Sequence, residues 1–168
     1  MGSLISCYAL AQNWTTYRAP DNSFSISAPY QWSEKTDTIS TDIGNLKYFT
    51  LYCQAPDTSA NQIYMLSYCD YPDGTIHSDS TELITAFFEE TMQSAAFSIN
   101  GKLMYQADEA LYNFPGKYWR IDYLQGNAVI KTRAFLVRNR YYAVQVVSKK
   151  VFHINPDSDR FLDGFRLN

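Results

Sequence analysis

Two histidines and three cysteines in 168 residues leave this chain little material for metal or thiol chemistry. His77 and His153 lie far apart, each beside a turn, and no HxxxH or CxxC spacing gathers ligands. Both read as surface histidines. GxSxG, P-loop and GxGxxG patterns are missing, so neither a nucleophile elbow nor a nucleotide cradle is written here. The basic excess of a nucleic-acid binder is missing too: 14 Lys+Arg stand against 17 Asp+Glu, a net charge of −3. Only 18% of residues are charged, and the 46% hydrophobic content is ordinary for a single domain with a buried core. No run reaches the ~18 apolar residues of a membrane span, so a soluble body is expected. Aromatics are what the chain has in excess: 16%, with 14 Tyr and 10 Phe, a bias towards sheet.

The first residues resemble a shortened export signal. Ala9-Leu10-Ala11 is an A-x-A cleavage pattern, although the basic leader and most of the apolar stretch are missing. Met1-Gly2-Ser3 reads as an artificial leader in their place. Leu4-Ile5-Ser6-Cys7 also resembles a bacterial lipobox, in which Cys7 would carry a lipid anchor; a frayed terminus containing two alanines is the third reading. Residues 1–11 are therefore expected to be a signal remnant or tail, and 12–168 one domain, periplasmic or extracellular. Without Cys7, Cys53 and Cys69 remain. They fall on neighbouring candidate strands; pairing Cys53 with about Ile63 leaves the sulfurs some 20 Å apart at ~3.3 Å per residue. A disulfide needs Cα atoms within about 7 Å, so both are expected free, buried and inert.

Alternation and turn residues predict strands over 23–28, 36–41, 46–54 and 62–71. The period then changes. Leu83, Ile84, Phe87, Phe88, Met92, Ala95 and Ala96 recur at helical spacing, predicting a helix over 80–96 with Asp79 and Glu82 as a capping box. Strands return over 102–111, 116–125, 128–138 and 140–147, the last three an antiparallel meander turned at Gly126-Asn127 and Arg138-Asn139-Arg140. Both faces of this meander are apolar, most clearly in Tyr141-Tyr142-Ala143-Val144-Gln145-Val146-Val147, so it must be covered on both sides. A second helix over 158–165, capped by Asp157, would supply the other cover. The fold class expected is α+β: an antiparallel sheet of six to seven strands between helical layers, an α/β/α sandwich.

Ordered pieces of this pattern resemble the PsbP-like fold family. Its members include the photosystem oxygen-evolving subunit, exported bacterial envelope proteins and a eukaryotic Ran-binding transport factor of the Mog type. The resemblance is carried by Phe24-Ser25-Ile26-Ser27-Ala28-Pro29, by Pro115-Gly116-Lys117-Tyr118-Trp119-Arg120-Ile121-Asp122-Tyr123, by Arg138-Asn139-Arg140-Tyr141-Tyr142-Ala143-Val144 and by Phe161-Leu162-Asp163-Gly164-Phe165-Arg166-Leu167. Gly164 departs from the family's small polar residue. The resemblance spans roughly 20–167 and implies a non-catalytic binding or assembly protein. No photosystem- or Ran-specific residue carries over, and fold alone fixes no activity.

Chemistry is sparse. Asn155, Asp157 and Asp159 have the 1-3-5 spacing of a calcium loop, but Arg160 and Arg166 occupy the positions of its Gly and Glu. Glu89-Glu90 point apart on a helix, and Asn13-Trp14-Thr15 is a glycosylation sequon only in a eukaryotic secretory setting. One constellation stands out. A two-residue turn at Gly126-Asn127 puts Asp122 opposite Lys131 and Arg120 opposite Arg133, on the face carrying Leu124 and Phe135. Like charges across a ladder need an anion or an acidic side chain between them. Asp122 or Glu109 could supply it; otherwise Arg120, Asp122, Lys131 and Arg133 mark a site for an anionic ligand or an acidic partner surface. The expectation is a non-catalytic, exported binding or assembly protein of the bacterial envelope, monomeric, without cofactor, metal or nucleic acid, whose partner is an envelope protein or small ligand. The alternative is a carrier holding an apolar or aromatic ligand in a Tyr- and Trp-rich cleft between sheet and long helix. A hydrolase ranks last, since no nucleophile and base share a motif.

Overall fold

The computed structural model describes residues 13–168. The leader readings at Cys7 and Ala9–Ala11 fall outside them. A seven-stranded antiparallel sheet forms the body. Its strands are β3 (Ser33–Thr41), β4 (Gly44–Gln54), β5 (Asn61–Asp70), β6 (Lys102–Leu111), β7 (Phe114–Tyr123), β8 (Ala128–Val137) and β9 (Arg140–Lys149), in the order β3-β4-β5-β9-β8-β7-β6. The strand with the most continuous apolar run, β9, lies at the centre, as its two-sided burial demands.

Alternation along β9 divides the interior into two cores. Tyr141 and Ala143 face one side, where α1 (Thr81–Ser98) lays Phe88, Met92 and Ala96 against Trp119, Ile121 and Leu136. Tyr142, Val144 and Val146 face the other, against Phe24, Ile26, Phe161, Leu162 and Phe165. That second cover corrects the expectation of helical layers on both faces. It is built from a three-stranded sheet, β1 (Thr15–Arg18), β2 (Phe24–Ala28) and β10 (Arg166–Leu167), together with the short helix α2 (Pro156–Leu162). The expected 158–165 helix therefore stops at Leu162, and the chain turns at Asp163 and Gly164 before Leu167 pairs with Phe24. Aromatic side chains fill this layer; Phe24 packs edge-on to Tyr142 and Tyr68 at 5.6 and 5.3 Å between ring centres.

Both helix starts differ from expectation. The N-cap of α1 is Ser80, and Asp79 instead approaches His77 Nδ1 at 3.4 Å. For α2 the cap is Asn155, whose Oδ1 accepts from the Ser158 backbone at 2.8 Å; Asp157 lies within the first turn.

Registers moved as well. Cys53 pairs with Tyr64 rather than Ile63, a one-residue slip that reverses its face relative to the expected pairing. Cys53 therefore lies in the small-sheet core and Cys69 in the α1 core, both free. Between β7 and β8 the loop has four residues rather than two, with Leu124, Gln125 and Gly126 at φ of 49°, 56° and 85°. Tyr123 pairs with Ala128, so each pairing shifts by two residues and every side chain keeps its expected face.

Candidate functional site

On the α2 side of the sheet, the apolar surface gives way to charge at β8. Alternation places Lys131 and Arg133 on the face of Phe135; Tyr118, Arg120 and Asp122 continue that face on β7. The observed register corrects the predicted pairs. Arg120 stands opposite Lys131, Tyr118 opposite Arg133, and Asp122 opposite Val129. A like-charge pair thus persists, with different members.

Arg120 resolves its charge along its own strand. Its Nε and Nη2 donate to the two carboxylate oxygens of Asp122 at 2.7 and 3.0 Å. The Lys150 ammonium donates to the same carboxylate. Burial alone would raise the Asp122 pKa, but the hydrogen bonds from Arg120 and Lys150 outweigh it and hold the carboxyl below its ordinary value. Arg120 Nη1 also meets His153 Nε2 at 3.3 Å. Because Arg only donates, this nitrogen accepts, which puts the imidazole proton on Nδ1. Burial, then the charges of Arg120, Lys131 and Lys150, lower the His153 pKa, so the ring is neutral here.

Arg133 is satisfied separately. Glu109 Oε1 on β6 accepts from its Nε and Nη2 at 3.1 and 2.9 Å, and Asp163 beyond α2 accepts from Nη1. Glu109 therefore neutralises its neighbour, as one reading of the sequence had it. A cleft of about 170 Å³, lined by Arg133, Phe135, Leu162 and Phe165 among others, opens beside this group.

Lys131 is the exception. Its side chain is only 7% exposed, and its Nζ makes no hydrogen bond among the described residues. The nearest carboxylate is Asp159 on α2, 3.8 Å away and itself largely exposed. Burial lowers the Lys131 pKa; Asp159 opposes this and Arg120 reinforces it. The four residues marked from sequence thus share one face, but as two groups, Arg120–Asp122–Lys131 and Arg133 with Glu109. Sequence reasoning missed Lys150, His153, Asp159 and Asp163, which arrive from the segment after β9. The only hint was their charge immediately after a buried strand.

The space between α1 and the sheet is filled by the chain's own side chains, Trp119, Phe88 and Met92 being almost fully buried. Among the described residues, no three His, Cys, Asp or Glu side chains are grouped to hold a metal ion.

This three-layer arrangement is a PsbP-like fold. The solution structure of cyanobacterial PsbP (CyanoP) from Synechocystis sp. PCC 6803 superposes with a TM-score of 0.65 over 99% of this chain and all of that one, at 10% sequence identity. A crystal structure from Bacteroides thetaiotaomicron superposes with a TM-score of 0.51 at 13% identity, covering 94% of this chain. This chain spans about half of that protein (49%). At such identities the likeness shows the fold alone. No protein-family model and no curated protein matches the sequence.

Proposed function

We propose that the chain is a non-catalytic binding module of the bacterial cell envelope that engages an acidic group of its partner at Lys131 and Arg120. One observation carries this reading: a lysine whose side chain is only 7% exposed stands beside a guanidinium, its Nζ making no hydrogen bond among the described residues and meeting a single carboxylate at 3.8 Å. A buried charge so poorly compensated costs stability, which a binding role accounts for. Asp159 would be the group that an incoming carboxylate or phosphate displaces.

The absence of catalysis is supported by the thiols. Burial pushes Cys53 up to about 12 and Cys69 up to about 11, which leaves neither as a thiolate at neutral pH. An envelope setting is supported by the A-x-A and lipobox patterns of residues 4–11.

The test is an amide NMR titration of the 168-residue chain with hexa-aspartate and, separately, with inorganic phosphate. Saturable shifts on β7, β8 and α2 that vanish in Lys131→Met are expected. Shifts that fail to saturate, or that survive Lys131→Met, would sink the reading.

A further inference from the structure

After β9 the chain makes one 3₁₀ turn, Lys150–Phe152. With three residues per turn, side chains three apart share a face. Lys150 and His153 take the inner face, against Asp122 and Arg120. Val151, Phe152 and Ile154 are left outside, 80%, 55% and 80% exposed. This exposure does not come from a loose loop. Lys150 N donates to Asn127 O at 2.9 Å, Lys149 N to Ala60 O at 3.1 Å, and Asn155 Nδ2 to Phe152 O at 2.8 Å. The polar cluster below holds an apolar crest out in water.

The crest has company. Asn127 belongs to the β7–β8 loop, whose Leu124 is also exposed, and the turn after α1 borders that loop, Asn100, Gly101 and Lys102 lining one cavity with Gln125 and Gly126, just beyond exposed Phe97. Charge distinguishes this end of the sheet from the other. The segments 99–102, 124–127 and 149–154 carry Lys102, Lys149 and Lys150 and no carboxylate. Asp57 and Asp157 border them, and Asp57 turns its carbonyl to Lys149. The loops at the opposite end carry Asp42, Asp73 and Asp79 against Arg138. Apolar side chains standing singly on several loops, within a lysine rim, match a headgroup layer better than the flat face of a partner protein.

We infer that this end of the molecule is a membrane-docking surface, in which Val151, Phe152 and Ile154 enter an anionic lipid interface while Lys102 and Lys149 meet the phosphates. The insertion is shallow, ~5–10 Å, as for other interfacial segments. The inference stands apart from acidic-partner binding at Lys131, since the crest residues are not part of that site.

The experiment is sedimentation of the full 168-residue chain with vesicles of phosphatidylglycerol and phosphatidylethanolamine in equal parts, and with phosphatidylcholine alone. Binding to the anionic vesicles, weakened by salt, is expected. Val151→Ser/Ile154→Ser should reduce it about tenfold or more without lowering the melting temperature. Phe152→Trp should show a blue-shifted emission on the anionic vesicles, a readout that holds even if the double variant folds poorly. Failure to bind them, equal binding by the double variant or an unshifted tryptophan would overturn the inference. So would a lipid-free dimer that the double variant dissolves, which would assign the crest to a second copy.

Discussion

Asp122 is held by Arg120 from its own strand and by Lys150 from the turn after β9, so one carboxylate ties the sheet face to the crest segment. Two cations depend on it directly, and Lys131 stands opposite Arg120.

Asp122→Asn should therefore destabilise the fold by about 3 kcal/mol, because it leaves the largely buried Arg120 guanidinium uncompensated. Urea unfolding measures this; a loss below about 1 kcal/mol, the range of an exposed pair, would show that the cluster is hydrated.

Lys131→Met should go the other way. The substitution keeps much of the side-chain length and removes a charge that makes no hydrogen bond among the described residues, so stability should rise or stay level. A midpoint that drops clearly in urea would mean that Asp159 compensates the ammonium fully.

His153 gives the cluster a pH dependence. Its folded pKa lies below 6.5, so between those two values the unfolded chain binds more protons and stability falls as pH falls. Protonation would set a charge against Arg120, Lys131 and Lys150, with only Asp122 opposing them. Asp122, also lowered, adds loss in the same direction, but only below its ordinary value of 3.8. His153→Gln should flatten the melting temperature just below pH 6.5 while leaving the steeper acid limb intact.

Gly116, in the Pro115–Tyr123 stretch, is required by close approach. A Cβ there would meet the Phe135 ring at 2.4 Å and the Ala134 carbonyl at 2.6 Å. Gly116→Ala should cost about 1–3 kcal/mol through overpacking, read in the same unfolding assay.

The large elements were legible because their physics is local. Helical spacing from Ile84 to Ala96 located α1, and the two apolar faces of β9 announced a strand covered on both sides. What stayed hidden depended on partners distant in sequence. The strand Thr15–Arg18 has no alternation strong enough to stand out, and Arg166–Leu167 is a strand only because Phe24 and Ser25 lie beside it. The β7–β8 pairing failed by two residues because Leu124 and Gln125 adopt left-handed conformations that their residue types do not advertise. The same slip misassigned the partners of Arg120 and Arg133 yet kept all four marked side chains on one face. Lys150 and His153 joined them through a 3₁₀ turn that no motif signals.

The central place of β9 also sets the order in which the molecule can assemble. β5 must pair with a strand that follows it by about seventy residues, Asp70 with Arg140. The first three strands of the large sheet are therefore an open-edged fragment while the chain is being made, whereas β6 to β9 form a self-contained meander from neighbouring hairpins. β2 waits longer still, until Arg166 and Leu167 arrive. Such non-local closure makes for slow folding, in the millisecond-to-second range of sheet-rich domains. Until Arg140 and Leu167 have been made, β5 and β2 each present an unpaired backbone edge, the kind of edge on which a second chain can add a strand.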